Sequence, residues 1–189
     1  NYHKKSLEIK ESFIKYAQKT EEYLEDIKPV IKEKQEFFRS LAKRFYPKNA
    51  SGITVYPNEG ENQQRYTIEA KIESDNSDGI NNVKIFCYDM TMLFKGHGHN
   101  VKFSFHDSRL FDGIDEKHKA EIFKVVNELF NGTDYQYIAT VNQNQLNEVK
   151  SILTEQEYKE IIEKNTILTL TDEDDSEKLL GIKVDVGYE

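Results

Sequence analysis

The spacing of apolar residues predicts a long helix at the start of the chain. Residues 6–41 contain no glycine, and a 4-3-4-3 spacing links Ile9, Phe13, Tyr16, Thr20, Tyr23, Ile27, Val30, Lys34, Phe37 and Leu41. Such spacing is typical of a coiled coil, whose partner helix is not in this sequence. Thr20 and Lys34 are weak residues at these positions, and Pro29 should kink the helix or separate two helices. The alternative is an amphipathic helix that packs on its own domain.

The pattern changes to strict alternation after Pro47. Apolar and polar residues alternate over 53–56 and 66–72, and the polar residues 58–64 between them predict the turn of an antiparallel hairpin. A polar loop at 74–79 then precedes a helix over 80–94, for which Ser77 or Asp78 is the candidate N-cap.

A second alternating run, at 101–105, predicts a strand that ends in a carboxylate, Asp107. An acidic turn at 112–115 follows, and then a helix over 116–130 that should end at Asn131 and Gly132. Because α/β folds place nucleotide and metal chemistry where strands end, we expect function at this edge.

The remaining pattern completes an α/β fold. It predicts a strand at 135–141 followed by polar Asn142, helices near 143–150 and 154–164, a strand at 166–170, an acidic turn at 172–177, and a last strand near 179–186. We expect a mixed sheet with flanking helices, preceded by a helical arm. The predicted division is residues 1–41 for the end of the arm and residues 42–189 for the α/β domain.

Composition restricts the class of protein. Residues 1–50 contain 12 Lys and Arg against 8 Asp and Glu, whereas the other residues contain 14 against 26, for a net charge of −8. The acidic body argues against broad nucleic-acid binding by this chain alone. A single cysteine, Cys87, with no signal peptide and no membrane span in the sequence, favours the cytoplasm and no membrane partner. The chain begins without methionine, and we expect it to be a piece of a longer protein.

Two groups of residues invite a functional reading that the pattern does not favour. His97 and His99 could form a metal pair with His106 or His118, but the glycines around them indicate a surface turn. A basic cluster at Arg39, Lys43, Arg44 and Lys48 fits a solvated helix face better than a phosphate contact.

At this point the sequence resembles a known family. The run FHDSRLFDGID at 105–115, with YQYIATVN at 135–142 and KLLGI at 178–182, resembles a bacterial family labelled only by unknown function. The order of elements resembles the C-terminal lobe of SMC-, Rad50- and RecN-like coiled-coil ATPases of the ABC class. Some such proteins belong to three-component anti-phage or anti-plasmid conflict systems. The resemblance covers essentially the whole chain.

The resemblance implies a role for particular residues. Ser77 and Gly79 fall where the signature loop meets the γ-phosphate held by a second head, although Asp78 places a carboxylate there. Asp107 falls at the Walker B position, which holds Mg²⁺. Asp115 is similar to the D-loop aspartate, and Asn142 lies where many relatives carry the switch histidine.

The sequence departs from the family pattern at two places. Walker B usually ends in Asp-Glu, but Asp107 is followed by Ser108; if the register slips by one, His106 takes the metal position and Asp107 becomes the base. Asp112 is our candidate for a substitute base. A Walker A loop is absent from the sequence, so ATP and Mg²⁺ should bind only together with an N-terminal lobe.

Three functions follow as hypotheses. The first is half of an ATPase head, whose partners are its own N-terminal lobe, an antiparallel coiled-coil helix, a second head on ATP binding, DNA and an effector protein. The second is a non-enzymatic coiled-coil interaction module, which the missing Walker A loop and Ser108 favour. The third is a metal-dependent nuclease that uses Asp107, Asp112 and Asp115. The sequence favours the first.

Overall fold

The computed structural model describes residues 2–58, 65–171, 173–179 and 181. The helices are α1 (Tyr2–Asp26), α2 (Lys28–Phe45), α3 (Asp78–Lys95), α4 (Glu116–Phe130), α5 (Gln143–Ile152) and α6 (Glu155–Ile161). The strands are β1 (Ser51–Pro57), β2 (Tyr66–Ile72), β3 (Phe103–His106) and β4 (Gln136–Ala139). Short 3₁₀ helices cover Ser108–Phe111, Glu163–Asn165 and Asp175–Glu177. None of the described helices is both long and apolar enough to cross a membrane.

The arm consists of two helices, and Pro29 explains the break. The helical path is interrupted at Ile27, and Pro29 lies in the first turn of α2, where its missing N–H costs no hydrogen bond. This confirms the predicted join at Pro29. Helix α2 continues to Phe45, so the proposed division after residue 41 falls inside a helix whose last turns belong to the core.

The side of the arm that is least exposed lies next to the predicted apolar stripe. Its residues also follow a 4-3 spacing: Thr20, Leu24, Ile27, Ile31, Lys34, Phe38, Leu41 and Phe45. By contrast Tyr23 and Val30, from the predicted stripe, are 50% and 39% exposed. The domain therefore packs on one flank of the stripe and leaves the other flank open.

The hairpin forms as predicted and lies against the arm. Strands β1 and β2 are antiparallel, with Ser51 opposite Ile72 and Pro57 opposite Tyr66. Gln35 of α2 donates from Nε2 to the carbonyl oxygen of Ile53 at 2.8 Å. Most of the predicted turn at 58–64 lies outside the described residues.

Strands β3 and β4 form a parallel pair, and α4 makes the crossover between them. Phe103 lies opposite Gln136 and His106 lies opposite Ala139. The described strands form two separate two-stranded sheets, not the single mixed sheet that we expected. Helices therefore account for most of the core.

The core lies between α2, α3, α4 and the 3₁₀ turn at Ser108–Phe111. Its largest fully buried side chains include Phe38, Phe86, Met90, Phe111 and Ile122. Phe111 stacks on Phe123 of α4, with ring centroids 5.3 Å apart. The turn after β3 is therefore anchored by a buried aromatic residue.

The C-terminal part differs from the prediction. Helices α5 and α6 lie close to the predicted positions, but the strand predicted at 166–170 was wrong, since these residues have no regular structure and are exposed. Ile167, for example, is 92% exposed. A strand forms only with a hydrogen-bonding neighbour, and no described strand lies beside this run. The predicted last strand at 179–186 lies almost wholly outside the described residues.

Candidate functional site

The parallel pairing brings the ends of β3 and β4 to one edge. Asp107 directly follows β3, and Asn142 follows β4 by three residues. Both side chains lie at the carboxyl end of the same sheet, as the sequence predicted. The candidate site is therefore built around the turn 107–115 that leads from β3 into α4.

Asp107 is exposed, and one of its carboxylate oxygens caps a short helix. Oδ1 accepts a hydrogen bond from the Arg109 backbone N–H at 2.8 Å, which makes Asp107 the N-cap of the 3₁₀ turn. The side chain borders a shallow concavity of about 370 Å³ that Asn82, Phe105 and Arg109 also line. The second carboxylate oxygen is not used by this cap.

His106, the alternative metal-position residue, is held inside the fold. It is 7% exposed, with Nε2 at 3.0 Å from Oδ2 of Asp89 and Nδ1 at 3.0 Å from the Tyr137 hydroxyl. In the neutral tautomer, Nε2–H donates to Asp89 and the Tyr137 hydroxyl donates to Nδ1. Burial and then the charge of Asp89 raise the pKa of Tyr137. With both ring nitrogens engaged, His106 is not free to bind a ligand, and Asp107 is the better candidate.

Gln145, which sequence reasoning missed, joins three of the predicted residues. It is 6% exposed, and its Nε2 donates to the Ser108 carbonyl and to Asp112 Oδ1, both at 3.0 Å. Its Oε1 accepts from the Asn142 backbone N–H at 3.1 Å. The signal was in the sequence, because Asn142 and Gln145 have the spacing of a capping box at the start of α5.

Asp115 is the N-cap of α4. Its Oδ1 accepts from the backbone N–H groups of Lys117 and His118, both at 3.0 Å, and its Oδ2 contacts Nδ1 of His118. Partial burial acts to raise the pKa of Asp115, but the hydrogen bonds and charge of His118 outweigh it and lower the pKa below the ordinary range. Both carboxylate oxygens are thus engaged within the fold.

The start of α3 packs directly on the acidic turn. A Cβ at Gly79 would lie 2.3 Å from the Gly113 carbonyl oxygen, so only glycine fits this approach. Gly113 has a φ of +71°, which glycine adopts without strain. Asn82 Nδ2 donates to the Asp112 carbonyl at 2.9 Å. The signature-like loop and the D-loop-like turn are therefore neighbours.

Ser77 occupies the N-cap position of α3 as predicted, but its side chain makes no capping hydrogen bond. The residue is exposed. Its hydroxyl therefore lies at the positive end of α3 without a structural task there.

Arg109 is a second residue that sequence reasoning missed. It is exposed, lies two residues after Asp107 and lines the same concavity. Its own backbone N–H caps Asp107, so its position is fixed by the 3₁₀ turn. The signal was its place within the 105–115 run, where it is the one basic residue.

The other charged candidates serve the fold. Among the described residues, no group of three His, Cys, Asp or Glu side chains could hold a metal ion. His99 contacts the Met92 carbonyl at 3.1 Å. Arg44 of the basic cluster pairs with Glu121 and Glu128 of α4. Mg²⁺ needs less from a protein, since it is usually bound by one or two carboxylates together with phosphates and water; the free oxygen of exposed Asp107 fits that requirement.

Comparison with known proteins defines the family and no more. No curated protein matches the chain. A family model described as "uncharacterised protein conserved in bacteria" (DUF2326) matches residues 41–184, from the last turns of α2 through the α/β domain. The chain therefore belongs to the DUF2326 family of bacterial proteins.

Proposed function

We propose that the chain is the C-terminal half of an SMC- or RecN-like ATPase head, which acts with an N-terminal lobe that supplies Walker A. The observation that carries the proposal is the uncovered parallel sheet formed by β3 and β4. Helix α3 covers one face of this sheet, through Phe86 and Asp89 beside His106. The other face carries Phe103, Phe105 and Ile138, which are 54%, 52% and 36% exposed.

Physical reasons make this sheet a part of a larger one. Parallel sheets are almost always covered on both faces, and two strands alone are marginal in water. Neither β3 nor β4 pairs with another strand in the part of the chain that the structure describes. A lobe that adds strands and helices at this surface would bury Phe103, Phe105 and Ile138 together. The N-terminal lobe of the same protein is the occupant that we propose.

The edge of the sheet supports an ATPase assignment for this half. Asp107, exposed and with a free carboxylate oxygen, can hold Mg²⁺ that a nucleotide brings. Ser77 and the first N–H groups of α3 offer an anion site next to the turn that carries Asp115. In a pair of heads this surface would face the nucleotide of the second head.

The arm supports a second contact. Helix α1 has no buried residue, and Ile9 and Phe13 are 56% and 69% exposed on the open flank of the stripe. An antiparallel helix from the same protein would cover this flank as in a coiled coil. DNA and an effector protein are the targets that we propose for the assembled protein, in a bacterial defence or repair system.

One observation favours the non-enzymatic alternative. Asp107 uses one oxygen as a helix cap and is followed by Ser108, whose carbonyl is held by Gln145. A second acid beside Asp107, which would activate water, is missing from the sequence. A structural turn inside an interaction module has the same appearance.

The test is to mix the chain with the N-terminal segment encoded upstream in its own gene and to measure ATP binding and turnover. Asp107→Asn keeps an oxygen for the 3₁₀ cap and removes the charge, whereas Asp107→Ala removes both. We expect turnover only in the mixture, and we expect both variants to lose most of it. Asp107→Ala alone should also lose about 0.5–2 kcal/mol of stability, the usual contribution of an N-cap.

The control for this experiment is Asp134→Asn, which removes an exposed carboxylate that pairs with Lys102 at the other end of β3. It should leave turnover unchanged. No ATP binding in the mixture would overturn the ATPase proposal in favour of the interaction module.

A further inference from the structure

His118 lies between the end of the arm and the acidic turn. It belongs to the first turn of α4, and its ring contacts two groups from different parts of the chain. Nε2 lies 2.9 Å from the carbonyl oxygen of Phe45, the last residue of α2. Nδ1 contacts Oδ2 of Asp115. The imidazole therefore bridges the end of α2 and the N-cap of α4.

Both partners of this ring are acceptors. A backbone carbonyl has no proton to give, and the low pKa of Asp115 keeps its carboxylate ionised at neutral pH. A neutral imidazole has one N–H, so one nitrogen would face an oxygen lone pair to lone pair. Only the imidazolium donates to both oxygens at once.

The surroundings stabilise a cation at this place. The Phe45 carbonyl is one of the last in α2, at the negative end of the helix dipole. The Tyr46 ring lies 4.7 Å from the imidazole ring, centroid to centroid. Burial, followed by the charge of Asp115, raises the pKa of Tyr46 to about 12, so that ring stays neutral.

The other charges at this interface are already paired. Arg44, next to Phe45 on α2, is bound by Glu121 and Glu128 of α4. Lys119, the residue after His118, pairs with Glu148 of α5. Asp115 is therefore the carboxylate that faces the imidazole, and His118 is the cation that faces Asp115.

We propose that His118 is a positioning residue: as an imidazolium, it clamps the turn that carries Asp115 against the end of the arm helix. The clamp extends to the start of α3, because Gly113 in the same turn contacts Gly79. A catalytic consequence rests on the proposed ATPase function, but the clamp itself does not.

The first test is nitrogen NMR at pH 7 of the whole chain labelled at histidine. We expect both ring nitrogens of His118 to show the shifts of protonated nitrogens and to hold their protons against exchange. His118→Ala assigns the signals, and His97→Ala is the matched control, since His97 is an exposed histidine in a loop. One unprotonated ring nitrogen in His118 would overturn the clamp.

The second test separates positioning from general stability. His118→Ala should shift the amide signals of Gly113 and Gly79, and His97→Ala should leave them in place. In the mixture with the N-terminal lobe, His118→Ala should lower kcat about tenfold and leave KM for ATP unchanged. Unchanged amide signals or an unchanged kcat would overturn the positioning role. If the unmodified mixture shows no turnover, the ATPase proposal fails, and the NMR result still decides the clamp; that result also stands if His118→Ala does not fold.

Discussion

Gly79→Ala is the substitution whose effect the structure defines most sharply. The added methyl group would lie 2.3 Å from the Gly113 carbonyl oxygen, where real contacts essentially never fall below 3.0 Å. The neighbour is backbone in a turn anchored by Asp112 and Ile114, so it cannot move aside as a flexible side chain would. Either α3 or the turn must shift.

The magnitude follows from two opposing terms. Overpacking of this kind costs about 1–3 kcal/mol, and more where the backbone has to move. Replacing glycine by alanine in a helix returns at most about 1 kcal/mol, and less in the first turn. We therefore expect Gly79→Ala to lose about 1–2 kcal/mol in the free energy of unfolding, which urea denaturation of the whole chain measures. For a chain of this size the melting temperature should fall by about 2–4 °C for each kcal/mol.

The matched control is Gly52→Ala in β1. A Cβ at Gly52 meets no atom within 4 Å. We expect this variant to stay within about 0.5 kcal/mol of the unmodified chain. If Gly79→Ala proves as stable as Gly52→Ala, the close packing of α3 on the acidic turn is wrong, and with it the adjacency of the signature-like loop and the D-loop-like turn.

Two further predictions concern polar residues of the site. Gln145→Leu removes both donors to Ser108 and Asp112 and should cost about 1–3 kcal/mol, because it leaves polar groups unpaired; Gln143→Leu, at an exposed position of the same helix, should cost under about 0.5 kcal/mol in the same urea assay, and equal losses would contradict the bridging role. Asp115→Asn keeps the cap oxygen but removes the charge. Since the folded pKa of Asp115 is lowered, its charge stabilises fully above the ordinary carboxyl pKa, and that contribution is lost as pH falls through the folded value. Unfolding measured from pH 7 to pH 3 should therefore show a deficit of about 0.3–1 kcal/mol at pH 7 that disappears on acidification; a deficit independent of pH would refute this.

Local signals made much of the fold predictable. The helix predicted at 116–130 has these bounds in the structure, because Asp115 caps its first turn and Asn131 and Gly132 end it. The two strands that flank this helix were also found, and their parallel pairing places Asp107 and Asn142 at one edge. Caps, turns and alternation are short-range features that a sequence displays directly.

Features that depend on the partner of a segment could not be predicted in the same way. The run at 166–170 alternates like a strand, yet no described strand lies beside it. On the arm, a stripe at heptad spacing is equally compatible with the domain and with a partner helix, and the structure shows the domain on one flank. His106 shows the same limit, because its partner Asp89 lies a full helix away in sequence.

The uncovered sheet face and the candidate catalytic carboxylate belong to the same strand, and this connects docking with activity. Phe105 is half exposed on the open face, and it also lines the concavity beside Asp107. A lobe that covers Phe105 must therefore approach Asp107. Phe105→Ser should leave the stability of the chain within about 0.5 kcal/mol, as for an exposed residue, and should weaken binding of the N-terminal lobe in a titration measured by calorimetry.

Turnover in the mixture separates the two proposed functions. In a split ATPase head, Phe105→Ser should lower binding and turnover together, and a saturating concentration of the N-terminal lobe should restore turnover. Asp107→Asn should lower turnover at any concentration, with binding of the lobe unchanged, because its carboxylate acts after docking. In an interaction module, Phe105→Ser would still weaken binding, but Asp107→Asn would have no activity to remove. A loss of folding stability with Phe105→Ser, at the level of a buried phenylalanine, would show that the face is covered within this chain and would refute the docking surface itself.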